Sequence, residues 1–208
     1  ARALVAGGGH AAATSGHPSA HAQSPPARLL LVERRQATAW GRWIDNFEVI
    51  REAAVAWATL NPGLLSDVTA TDLAELSVAE QLRLAAGMRI VFGAHGDGLS
   101  WATFMEQGGA LLEAVPARHK GFQVCNEGVD ENPWGIFGGL ARLAGHLHIC
   151  FLNEESQLMP AVSSPEDDFQ WGWRQMNLHI DLGKFELYLG TAALWVQSKA
   201  QPASVDVA

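Results

Sequence analysis

Four short, nearly all-apolar runs, at residues 29–33 (LLLVE), 88–92 (MRIVF), 110–115 (ALLEAV) and 147–152 (LHICFL), constrain this chain more than any other feature. Each has the length of a buried strand, and the stretches between them carry helical periodicity. Strands apolar on both sides cannot lie in a sheet with one wet face. They require cover above and below, which connecting helices supply in a parallel sheet. The expected fold is therefore α/β: a Rossmann-like parallel sheet between two helical layers.

The intervening segments agree with that reading. Asp45 or Asn46 caps a helix through Thr59, in which Phe47, Ile50, Ala54, Val55 and Ala58 recur at helical spacing before Asn61-Pro62-Gly63 stops it. Residues 67–71 form a short strand, and Ser77-Val-Ala-Glu80 reads as a capping box opening a helix that Gly87 closes. Further helices are expected at 99–107, at 134–144 and from Asp181 to about residue 198, the last buried through Phe185, Leu189, Ala192 or Ala193, and Val196. The first 27 residues contain Ala, Gly, Ser and Pro with little bulky apolar content, and read as a linker or tail. His10, His17 and His21 fall there at spacings that match no element.

A chain of 208 residues is long enough to bury roughly 70% of its unfolded surface without staples. Its 14 Lys and Arg against 22 Asp and Glu leave a net charge of −8, which disfavours nonspecific contact with nucleic acid or an anionic membrane. Uninterrupted apolar runs reach four or five residues, against the roughly 18 to 20 needed to cross a bilayer. The two cysteines, Cys125 and Cys150, supply neither a disulfide framework nor a CxxC zinc pattern, and their pairing is open.

Parallel sheets bind ligands at the carboxyl ends of their strands. Two features fall there. Gly93-Ala-His95-Gly96-Asp97-Gly98 forms a tight turn into a helix, where glycines let backbone amides approach an anion. It lacks the third glycine of the dinucleotide fingerprint, and Asp97 places a carboxylate where a phosphate would come. Arg34, Arg35 and Arg42 put three of the fourteen basic residues within nine positions after the first strand, with forked donors that match phosphate oxygens. His146 and His148 would place two imidazoles on one strand face, without a third ligand to complete a metal site. Trp40 with Trp43, and Trp171 with Trp173, offer rings for stacking on sugars, although packing explains them as well. GxSxG, HExxH, Walker A and CxxC motifs are missing from the sequence.

Several of these segments together resemble the carboxyl-terminal half of a glycosyltransferase family 61 domain. Leu30-Leu-Val-Glu-Arg34 followed by Arg42-Trp-Ile-Asp-Asn46-Phe-Glu48 is similar to that family's strand and Arg-x-Ile-x-Asn-x-x-Glu segment. Glu80-Gln81-Leu82-Arg83 resembles its Glu-Gln-Leu-Arg helix. Gly93 to Ser100, with Phe104 and then Glu113-Ala-Val-Pro116, resembles its His-Gly-Ala-Gly-Leu-Thr signature and following Glu-x-x-Pro. The likeness runs over residues 29–198, with Asp97 in place of the usual small or amide residue and two extra residues between Arg34 and Arg42.

The resemblance implies an inverting, metal-independent transferase that needs no cofactor and moves a sugar from a nucleotide sugar, with UDP the favoured nucleotide, to a glycan or protein hydroxyl. It implies the donor-binding half of a GT-B architecture at residues 28–199, with tails on either side and an amino-terminal domain completing the cleft. Arg34 and Arg42 would hold the diphosphate, the backbone at His95, Gly96, Gly98 and Leu99 the donor phosphates or sugar, and Glu113 a nucleotide hydroxyl. The catalytic base is unassigned. The likeness also implies residence in the Golgi or endoplasmic reticulum, although the sequence holds no Asn-x-Ser/Thr sequon. The alternative expectation is a noncatalytic remnant that binds a nucleotide sugar, a glycan or a partner protein.

Overall fold

The computed structural model describes residues 25–34, 43–116, 126–129, 135–153, 157–158 and 176–200. Strand β1 (Ala27–Glu33) leads to helix α1 (Phe47–Leu60), β2 (Leu65–Asp72), α2 (Val78–Ala86) and β3 (Ile90–Ala94). A 3₁₀ segment (Asp97–Phe104) precedes β4 (Ala110–Pro116), the short β5 (Gly128–Val129), α3 (Ile136–Leu143) and β6 (Leu147–Asn153). Two further short strands, β7 (Gln157–Leu158) and β8 (Met176–Asn177), pair with each other before the long α4 (Leu182–Ala200).

The main sheet runs β2-β1-β3-β4-β6-β5. Its first five strands are parallel, as the apolar runs predict, and β5 is antiparallel on the edge of β6. Alternate residues serve opposite faces. Leu29, Leu31, Ile90, Phe92, Leu112 and Ile149 pack beneath α1 and α4, whereas Leu30, Val32, Val91 and Leu111 pack with Leu99, Phe137 and Ala141 from the opposite layer. At the centre of the first layer, Phe92 meets Phe151 and Phe185 edge to face, with ring centroids 5.5 and 5.1 Å apart. The chain is thus an α/β protein with helices on both faces of a mostly parallel sheet.

Local chemistry sets the helix boundaries. Ser77 Oγ accepts the Glu80 amide at 3.4 Å while Glu80 Oε2 accepts the Ser77 amide at 2.8 Å, completing the expected capping box of α2. Asp181 Oδ1 accepts the Lys184 amide at 2.7 Å and opens α4, whose buried residues are Phe185, Leu189, Ala192, Ala193 and Val196.

Four local expectations need correction. Asn46 makes no side-chain cap on α1; it bonds instead to both backbone polar groups of Ile180, at 2.9 and 3.0 Å, because the chain returns there to form an Ile44–Leu178 bridge. The segment after Gly96 is 3₁₀ rather than α-helical. Ser100 Oγ donates to the Asp97 carbonyl and Thr103 Oγ1 to the Ser100 carbonyl at 2.8 Å, contacts that suit the tighter i to i+3 winding. Strand β2 is longer than residues 67–71, since its neighbour β1 offers a ladder over its whole length. His146 precedes β6 instead of sharing a strand face with His148: its Nδ1 accepts the Gly109 amide at 3.1 Å, fastening the α3–β6 turn to the start of β4.

Candidate functional site

The strand order creates the site. β1 has β2 on one side and β3 on the other, so the chain winds away from β1 in both directions. The loops leaving β1 and β3 therefore diverge to opposite faces and leave a crevice at the carboxyl ends of these two strands. Arg34 is the residue following β1, and the turn at residues 95–98 follows β3.

Arg34 lies across this crevice against Gly96. A Cβ at residue 96 would stand 2.7 Å from the guanidinium carbon, inside any permitted contact, and its φ of +151° is one that side-chain-bearing residues rarely adopt. The backbone favours glycine here, and any side chain at this position would push the Arg34 guanidinium aside. Gly98 is packed against β1 in the same way, with a Cβ there meeting Val32 Cγ1 at 3.1 Å. Burial draws the Arg34 guanidinium below its ordinary pKa, opposed by the charges of Asp97 and then Asp72. It remains a cation, since the arginine reference value lies so far above neutrality.

Of the backbone proposed for an anion, the His95 amide donates to the Ala114 carbonyl at 2.8 Å and the Leu99 amide to the Gly96 carbonyl at 2.9 Å. The Leu99 side chain is core. The amides left for a ligand to meet in this turn would be those of residues 96–98, since the first amides of a helical segment have no partner inside it.

Glu113 occupies the interior of the sheet, 1% exposed, on the face covered by α3 and the 3₁₀ segment. Its Oε1 is bonded to His95 Nδ1, and its Oε2 to His148 Nε2 at 2.8 Å. His95 and His148 are 7% and 4% exposed. Burial would raise the Glu113 carboxyl, but the hydrogen bonds from His148 and His95 more than offset it and hold the group below the ordinary glutamate range. An ionised carboxylate only accepts, so His95 carries its proton on Nδ1 and His148 on Nε2 in these contacts. Phe137 closes over the cluster, its ring edge to face with His95 at 5.0 Å. Both Glu113 oxygens are spent on imidazoles, which makes this glutamate a support for His95 beside the crevice rather than a group open to it.

Sequence reasoning missed Asp72, and it took His148 as half of a His146–His148 metal pair rather than as the partner of Glu113. The available signal was a polar residue inside each of two neighbouring apolar runs, Glu113 and His148. Arg42, Arg35, Trp40, Trp171, Trp173 and the three amino-terminal histidines lie outside the described residues. Cys150, fully buried beside Glu113 in the β4–β6 ladder, is disulfide-bonded; the other cysteine of the chain, Cys125, also lies outside the described residues. Among the described residues no group of three His, Cys, Asp or Glu is arranged to hold a metal ion, and no helix is long and apolar enough to cross a membrane.

Fold and site together define an α/β protein with a crevice at its topological switch point that holds the Arg34 guanidinium, backed by a buried His–Glu–His cluster. No family model and no curated protein matches the sequence.

Proposed function

We propose that this chain is the donor-binding half of a glycosyltransferase of family 61 type, with a GT-B architecture completed by an amino-terminal domain. It would hold a UDP-linked sugar for inverting transfer to a glycan or protein hydroxyl in the secretory pathway. The observation that carries the proposal is the Arg34 guanidinium lying over Gly96 in the β1/β3 crevice. A diphosphate placed there meets a fixed cation and the amides of residues 96–98 at once, so negative charge developing on a departing nucleotide is stabilised without proton transfer. The role of Glu113 shifts within this reading, from binding a nucleotide hydroxyl to positioning His95. An oxidised Cys150 supports a secretory setting, since disulfides persist where the environment is oxidising.

The test is a thermal-shift and calorimetric titration of the 208-residue chain with UDP, UDP-sugars, GDP and NADH, with and without chelator. A ligand selective for the folded state raises its stability, by about 2.7 kcal/mol at a hundredfold excess over Kd. UDP is expected to stabilise the protein in the presence of chelator, and Arg34→Ala to abolish the effect while the exposed Arg51→Ala does not. No response to UDP or any UDP-sugar, or an equal response from Arg34→Ala, refutes the donor site. Binding of a UDP-sugar without transfer, once an amino-terminal domain is supplied, would favour the noncatalytic reading.

A further inference from the structure

Strand β5 brings little of its own to keep it on the sheet. It offers β6 two residues, Gly128 opposite Cys150 and Val129 opposite Ile149, and Val129 is exposed. So short a ladder at a sheet edge falls at the low end of local stability. The preceding residue supplies a second tie. Glu127 Oε2 accepts the Leu152 amide at 2.6 Å and its Oε1 accepts the Tyr188 hydroxyl at 2.7 Å, with Lys184 Nζ at 3.5 Å. These contacts are open to solvent, where such pairs contribute modestly.

The third tie is covalent. Cys150 is disulfide-bonded and fully buried, and the other cysteine of the chain, Cys125, stands three positions ahead of Gly128. Opposed Cα atoms in an antiparallel ladder lie about 4.5–5.5 Å apart, and three residues of chain reach about 10 Å. Cys125 is thus tethered close enough to Cys150 for the Cα separation of roughly 4.4–6.8 Å that a disulfide needs. Alternation along β6 puts Cys150 on the sheet face opposite Ile149 and Phe151, the face that carries His148, and its ladder partner on β4 is Glu113. The bond therefore starts from the flank of the His–Glu–His cluster.

We infer that Cys150 pairs with Cys125 and that this disulfide is a redox latch, holding β5 against β6 when oxidised and releasing it when reduced. A dithiol opens the latch. Its thiolate attacks one sulfur and breaks the S–S bond; after the second exchange the dithiol has become a disulfide, and Cys125 and Cys150 have taken up two electrons and two protons as thiols. While the bond stands, β5 cannot move far from the edge of β6, so its two ladder positions and the Glu127 contacts reform as fast as they open. Once it is cut, those contacts alone must offset the entropy of ordering residues 126–129. Release uncovers the outer edge of β6, a row of backbone groups open to pairing with another chain, and thins the wall beside Glu113. The inference does not depend on what the Arg34 crevice binds.

Peptide mapping without reductant, with free thiols blocked before digestion, reads the pairing, and amide hydrogen exchange reads the latch. The samples are wild type, wild type in dithiothreitol, and Cys125→Ser, which removes the bond and leaves the buried Cys150 side chain in place. A Cys125–Cys150 crosslink within one chain is expected; two free thiols, or a bond joining two chains, overturns the pairing. On reduction and in Cys125→Ser, the amides of residues 128–129 and of Leu152 should exchange about tenfold faster or more, while those of β1 and β3 keep their rates. Reduced wild type gives this reading without any substitution. Unchanged exchange at Leu152 overturns the latch, and so does a comparable rise in every strand, which would make the disulfide a support of the whole fold instead of β5.

Discussion

Replacing Glu113 with glutamine keeps the shape of the side chain and removes its charge from the least accessible polar cluster of the sheet. The carboxylate accepts one N–H from His95 and one from His148, and both bonds are buried. An amide has one oxygen and one NH₂ in those places, so one imidazole keeps its acceptor while the other faces a donor and must change tautomer or lose its bond. Hydrogen bonds to charged groups contribute about 1.5–3 kcal/mol each, and leaving a buried donor unmade costs a similar amount, so the net loss expected for Glu113→Gln is about 3 kcal/mol. For a chain of this size that corresponds to a fall in Tm of about 6–12 °C. Denaturant unfolding followed by circular dichroism measures it, with an unchanged m-value showing that the folded state is retained.

The acid dependence supplies a second reading of the same substitution. The folded carboxyl of Glu113 is held below its ordinary range, so the unfolded chain takes up that proton first. The stability Glu113 contributes is complete above the ordinary glutamate pKa and is lost as pH falls through the lowered folded value. The groups facing it are His95 and His148. The gap between wild type and Glu113→Gln should therefore narrow in acid. A loss under about 1 kcal/mol at neutral pH would refute the reasoning, as would a gap that stays constant through the acid range.

Three other outcomes follow from the structure. Gly96→Ala should cost about 2 kcal/mol or more, since it forces both an unfavourable φ and displacement of Arg34; Gly63→Ala, with nothing within 4 Å of the added Cβ, is the control that should be near neutral in the same denaturation assay. Ser77→Ala removes the cap of α2 and should lower stability by about 1 kcal/mol in urea titration. Tyr188, the single tyrosine of the chain, donates to Glu127 Oε1 at 2.7 Å, and burial together with that acceptor pushes its phenol up to about 12. Tyrosinate absorbance should rise well above the ordinary midpoint near pH 10, and the stability this phenol contributes is present below its unfolded value and lost as pH climbs toward the folded one; Glu127→Gln should bring the midpoint down.

The parallel sheet and its two helical layers were legible because each strand needs apolar residues on both faces, and such runs stand out against the helical periodicity between them. The capping box of α2 and the Asp181 cap of α4 were legible for a related reason: Ser77 and Glu80, like Asp181 and the Lys184 amide it accepts, lie within one turn of each other, so the backbone groups they satisfy are also local. Glu113 and His148 were visible as polar residues in apolar runs, but nothing in the sequence says that β4 and β6 are neighbours. Their pairing appears only when the β4–β6 ladder sets the register.

What the sequence determined by itself was therefore the five parallel strands and the main helices between them, their order and the residues available at strand ends, including Arg34 and the glycines of residues 93–98, but not the short strands β5, β7 and β8. Tertiary structure decided which of those ends share a crevice, that Asn46 ties the chain to Ile180 instead of capping α1, and that Glu113 is enclosed by imidazoles. The division has a physical cause. Helix caps, periodicity and turn glycines are governed by atoms a few residues apart, whereas the switch point between β1 and β3 depends on strand order, which is set by packing between segments some sixty residues apart in the chain.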